Sequence, residues 1–268
     1  MGDAIALSVF VGLAYLVQVV LYHRYDVSII GGHQPARIPR PVVVAILSFT
    51  FLSAFIIAAV RIRFDGPSGL QPILIIVFTL SWALNLYRLI PARFMMRLSI
   101  ALGGAAMLLA LATTVPSSWV QSAVMAGSLL WIGPYLFRRY RIPRWVFFLA
   151  LLILMGIDLL AARVFVPVPF VAPTAMLDGL LVAGSLTQGI GDLLLGYLII
   201  CATVRYEGRW TASVLAVLLV VPLVIWRALV GDEPSAFPYY AAIVPVTFAV
   251  YGIRWIVRRT TRRFHPVV

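Results

Sequence analysis

Long apolar runs, separated by short polar breaks, fill this chain. Cutting it where charges, Gly and Pro cluster leaves nine runs: Ala4–Tyr22, Pro41–Val60, Leu70–Tyr87, Leu98–Val115, Val120–Phe137, Trp145–Ala161, Leu180–Val204, Ala212–Val230 and Phe237–Val257. Each approaches the roughly 20 residues a helix needs to cross a hydrocarbon core. The third, fourth and fifth runs are short, and the seventh is long and Gly-rich. The first run has only Asp3 before it, with no basic leader and no small-x-small cleavage site, so it is expected to stay as a span. The pattern predicts an all-α polytopic membrane protein with nine transmembrane helices. One membrane domain, 1–268, would hold helices one to five in 1–143 and six to nine in 144–268.

Composition sharpens this picture. The chain of 268 residues is 63% apolar and 11% charged, with a mean hydropathy of +1.04. Soluble domains carry about 25% charge, so the expected solvent is lipid. All 21 basic residues are Arg, which excludes a lysine Schiff base. A single Cys, Cys201, excludes intrachain disulfides and thiolate metal clusters. His23, His33 and His265 lie near charged flanks, so no buried His-ligated metal site is expected. No metal or organic cofactor is implied. The Arg-for-Lys bias points to a GC-rich prokaryote, hence its cell membrane.

The arginines also predict orientation. With nine spans, Arg24, Arg37, Arg40, Arg88, Arg93, Arg97, Arg138, Arg139, Arg141, Arg144, Arg205, Arg209, Arg254, Arg258, Arg259, Arg262 and Arg263 fall on the side of the C-terminus. Only Arg61, Arg63, Arg163 and Arg227 fall on the other. Positive residues favour the cytoplasm, so the N-terminus is expected outside and the C-terminus inside. The net charge of +12 then reports topology and attraction to anionic headgroups, with no nucleic-acid partner expected.

Most of the nine acids fall in tails or loops, and Asp178 sits at the outer mouth of the seventh run. Only Asp158 and Asp192 lie well inside runs. A carboxylate at mid-membrane costs several kcal/mol, which marks it as functional by default. Asp158 comes fourteen residues after Arg144, and Asp192 thirteen before Arg205. At about 1.5 Å per residue, both reach one level, roughly 20 Å from the inner face. Facing each other, they would share a proton, so one could activate water while the other donates to a carbonyl. A proton relay in a carrier would use the same acids, and so would two unrelated interhelical hydrogen bonds. Gly189 and Gly191 flank Ile190 just before Asp192. Their missing side chains let another backbone come close, and they weaken the helix locally.

Gly189-Ile190-Gly191-Asp192, with Asp158 on the preceding span, resembles the Gly-x-Gly-Asp intramembrane aspartyl proteases of the presenilin and signal peptide peptidase family. Arg205-Tyr206-Glu207 is similar to the family's exit from its seventh helix. Phe237-Pro238-Tyr239-Tyr240, with Pro245 beyond, falls where the family has Pro-Ala-Leu and a later proline. The resemblance covers about Trp145 to Val257; the earlier spans match in number alone. Two positions depart: Ile157 stands where the family usually has Tyr, and Tyr239-Tyr240 replaces Ala-Leu. The outside N-terminus matches the signal peptide peptidase orientation.

The resemblance implies an aspartic endopeptidase with an Asp158/Asp192 dyad. It implies substrate contacts at Gly189, Gly191, Pro238, Tyr239 and Tyr240. It implies a further contact at an extended segment around Val166 and Val168, where Pro167 and Pro169 forbid a regular helix; the residues alone read equally as a rigid Pro-rich linker. The substrate would be a transmembrane peptide or a signal-peptide remnant. The alternatives are a proton-coupled transporter and an inactive presenilin-like scaffold. The oligomeric state is left open.

Overall fold

The computed structural model describes residues 2–25, 71–90, 94–114, 118–140, 142–164, 180–183, 186–230 and 239–264. In chain order these form α1 (Gly2–Leu21), α2 (Gln71–Leu89), α3 (Phe94–Thr114), α4 (Ser118–Ser128), α5 (Ile132–Arg139) and α6 (Arg144–Val164). Next come β1 (Leu180–Ala183), β2 (Leu186–Gly189), α7 (Ile190–Glu207), α8 (Arg209–Leu218), α9 (Val221–Val230) and α10 (Tyr239–Phe264). Among the described residues the fold is helical apart from one hairpin. Two helices, α3 over Phe94–Leu111 and α10 over Tyr239–Thr260, are long and apolar enough to cross a membrane. The expected second span, Pro41–Val60, lies outside the described residues.

Three expected spans are corrected. The seventh run does not start as a helix. Leu180 pairs with Gly189 and Ala183 with Leu186 in an antiparallel hairpin, and α7 begins only at Ile190. Gly184-Ser185 stands between the strands in sequence, and Gly189 and Gly191 follow. Glycine disfavours a helix by about 1 kcal/mol per residue, so an apolar run this rich in it can change structure midway. The fifth run divides into α4 and α5, and the eighth into α8 and α9. Pro134 and Pro222 sit just inside the second helix of each pair. Each proline ring clashes with the carbonyl four residues earlier and breaks the ladder there.

The surface is inverted relative to a soluble domain. Ile5, Val9, Leu13, Val17 and Val20 of α1 form an exposed apolar stripe, while Leu7, Val11, Tyr15, Gln18 and Tyr22 are buried on the opposite face. Met107 of α3 is 76% exposed and Ile253 of α10 60% exposed. Several polar side chains, Gln18, Ser81 and Asn85 among them, are inside. Asn85 donates from Nδ2 to the Gly127 carbonyl (2.8 Å) and accepts from the Tyr25 hydroxyl (2.6 Å). Ser81 and Trp82 bond to carbonyls of Ser128 and Val124, so α2 is laced to α4. Gln18 Nε2 reaches the Leu130 carbonyl at 3.0 Å. Buried polar side chains thus tie neighbouring helices and their connections together.

Helix α7 is the centre. Leu193, Tyr197, Ile199, Ile200, Cys201, Ala202 and Thr203 are all fully buried, on every side of it. A helix apolar all round belongs in a core. Tyr15 of α1 lies so close that a Cβ on Gly196 would overlap its phenol ring. Tyr15 is itself fully buried. Gly196→Ala is therefore expected to destabilise the protein by about 1–3 kcal/mol, read as a lower unfolding temperature in detergent. After α7 the chain turns at Gly208, whose φ of +93° is strained for other residues. Its N–H closes on the Thr203 carbonyl at 3.1 Å.

One end of the molecule is stapled by charge. Glu207, ending α7, pairs with Arg144 at the start of α6 (3.4 Å) and with Arg258 late in α10 (2.9 Å). Helices α6, α7 and α10 thus bring together arginines that the topology had assigned to one side. Nearby, Arg138 Nη1 donates to the Tyr22 (3.1 Å) and Tyr25 (2.6 Å) carbonyls that follow α1. A guanidinium there satisfies carbonyls left over by the helix end.

Candidate active site

Away from the Glu207 staple, the late part of α6 meets the first turns of α7 and α10. Asp192 lies in the first turn of α7, directly after the hairpin. The first amides of a helix have no partner in the helix, and its dipole is positive there. An acid at this position is stabilised without a basic side chain.

Asp158 finds a similar environment in another helix. Its Oδ2 accepts from the backbone amides of Tyr240 (3.0 Å) and Ala241 (3.2 Å). These belong to the first turn of α10. A capping side chain just before a helix would ordinarily take such amides. Pro238, which precedes α10, has no side-chain oxygen to offer. Asp158 therefore caps α10 from α6, and the two helices are joined through a carboxylate. Each of the two acids thus lies at the positive end of a helix.

Tyr240 touches both acids. Its amide donates to Asp158, and its phenol is hydrogen-bonded to the Asp192 side chain. The same hydroxyl is 3.6 Å from where a Cβ on Gly191 would lie. Tyr239 turns the other way and bonds its hydroxyl to that of Tyr15. Tyr15 is within electrostatic reach of Asp192 and packs edge-on against Tyr197, with ring centroids 5.9 Å apart. Among the described residues no group of three His, Cys, Asp or Glu side chains could hold a metal.

Asp158, Asp192, Gly191, Tyr239 and Tyr240 are therefore brought together. Gly189 ends the hairpin that leads into α7. Val166, Val168, Pro238 and Asp178 lie outside the described residues. Sequence reading missed Tyr15, since only the spans from the sixth onward had been weighed for the site. The available signal was its position: a polar-tipped residue mid-span, on the face shared by Leu7, Val11 and Gln18. It also missed that α10 would supply amides to Asp158.

Compared with known proteins, the chain matches no family model and no curated sequence. The functional reading therefore rests on the Gly-x-Gly-Asp segment, the second acid and the residue that bridges them.

Proposed function

We propose that the chain is an intramembrane aspartyl protease of the presenilin and signal peptide peptidase type. It would span the membrane nine times, with its N-terminus outside and its C-terminus in the cytoplasm, in a prokaryotic cell membrane. The observation that carries this reading is the bridging of Asp158 and Asp192 by a single residue, Tyr240. Two intramembrane acids on successive helices, held to one residue, suit a pair that works as a unit. One carboxylate takes a proton from water as the water oxygen attacks the peptide carbonyl. The other, protonated, donates to the carbonyl oxygen. Collapse of the gem-diol sends a proton to the leaving nitrogen and yields an acid and an amine. No cofactor enters the scheme.

The substrate would be a membrane-spanning peptide, such as a signal-peptide remnant. Its helix must open before a peptide bond is reachable. The hairpin supports this, because each strand has one edge unpaired among the described residues and β2 ends three residues before Asp192. An extended segment could add to such an edge through backbone bonds. The exposed apolar stripe of α1 and the arginines around Glu207 suit lipid contact and an anionic inner leaflet.

The test is reconstitution in liposomes with a panel of synthetic single-span peptides, signal-peptide sequences included, and mass analysis of the products. Cleavage that disappears in Asp158→Asn and in Asp192→Asn supports the protease. Proton-driven solute flux without cleavage would favour a carrier, and peptide binding with neither would favour a scaffold. Gly191 gives a finer check. A methyl there meets Tyr240 only at ordinary contact distance. Gly191→Ala is thus expected to fold as the parent does while raising KM several-fold, measured from cleavage rates against peptide concentration.

A further inference from the structure

Tyr240 stands where the resemblance leads one to expect a leucine, with no polar tip, yet it is built into the pair of acids. Three contacts define its place. The backbone amide is bonded to Asp158 Oδ2 at 3.0 Å. The phenol is bonded to Asp192. The ring packs edge-on against Tyr239, with centroids 6.4 Å apart, and Tyr239 is in turn bonded to Tyr15. The amide end is fixed by α10, and the residue is partly buried, so neither end drifts freely. Gly191, lacking a side chain, leaves the room the hydroxyl occupies.

From this geometry we infer that Tyr240 is a positioning residue for the proposed hydrolysis. It ties Asp158 by its main chain and Asp192 by its phenol, and so sets the distance and facing of the two carboxylates. This rests on the protease reading for its consequence, but not for the tether itself. A phenol is suited to the task. Its O–H donates to a carboxylate oxygen, while its rigid ring spans from helix backbone to helix terminus with two side-chain torsions. Alanine or leucine at this position would keep the amide bond to Asp158 and leave Asp192 without this partner. Tyr240 of α10 and Tyr15 of α1 both face Asp192.

Tyr240→Phe separates the tether from the packing, because it keeps the ring and removes only the hydroxyl. Two measurements on the full chain in liposomes test it. In the first, the protein carries 13C-labelled aspartate carboxyls, with the resonances of Asp158 and Asp192 assigned by their loss in the corresponding Asn variants. Tyr240→Phe is expected to move the Asp192 resonance and leave that of Asp158, whose partners are backbone amides. An unmoved Asp192 resonance overturns the tether. In the second, cleavage of a single-span peptide is expected to lose about ten- to hundred-fold in kcat with KM nearly unchanged, the penalty of misaligned reacting groups. A moved resonance with parental kcat, or a loss confined to KM, overturns the positioning role. A moved resonance in a protein whose parent cleaves no peptide sinks the protease reading and leaves the tether standing.

Discussion

Asp158→Asn is expected to abolish peptide cleavage without unfolding the protein. The two effects separate because the proposed chemistry gives the capping carboxylate a second job. As a cap it accepts the Tyr240 and Ala241 amides through Oδ2. An Asn side chain keeps one carbonyl oxygen that can accept both. As an acid or base it must exchange a proton, and an amide cannot. Loss of a general acid–base group costs about 10²–10⁴-fold in rate. Asp158→Ala removes the cap as well, and should lower stability by about 1 kcal/mol. The Asn and Ala variants thus share one activity and differ in unfolding temperature. Asp192→Asn should be as inactive as Asp158→Asn, and the double variant no worse, since the pair acts as a unit. Peptide cleavage at a parental rate in any of them would sink the proposed chemistry.

An effect on stability as large as that at Gly196 is expected at Glu207. Its side chain is 4% exposed and pairs with Arg144 and Arg258, which are 52% and 44% exposed. Breaking a fully buried pair costs about 3–5 kcal/mol, because a charge is stranded. Here the charges left behind by Glu207→Ala are two half-exposed guanidiniums that water can reach, so the cost falls to about 1–3 kcal/mol. The staple joins the start of α6, the end of α7 and the late part of α10, the helices that carry the candidate site. Its loss should lower the unfolding temperature in detergent. The difference from the parent should shrink in high salt, since the pair is partly screened. A salt-independent loss would assign Glu207 a packing role instead.

How far the site could be read from sequence depended on the kind of signal. Asp158 and Asp192 stood out because lipid makes an intramembrane acid expensive, and that cost is a property of one residue in one run. Their common level is an expectation counted from Arg144 and Arg205; in the structure the start of α6 meets the end of α7 through Arg144 and Glu207. The hairpin over Leu180–Gly189 was not legible. A short apolar segment looks alike as buried strand or buried helix, and only its pairing decides between them. The breaks before Pro134 and Pro222 could have been read from proline alone.

The sequence by itself determined the apolar runs, the arginine asymmetry and the two acids, because hydropathy and charge add residue by residue along the chain. Tertiary structure alone decided what neutralises those acids. The sequence offered no lysine, and no arginine at their depth. The fold uses helix ends instead, with α7 holding Asp192 in its first turn and α10 presenting its first amides to Asp158. Such a partner is a backbone group. It carries no side-chain signature, and it exists only once two helices distant in sequence have packed end against side.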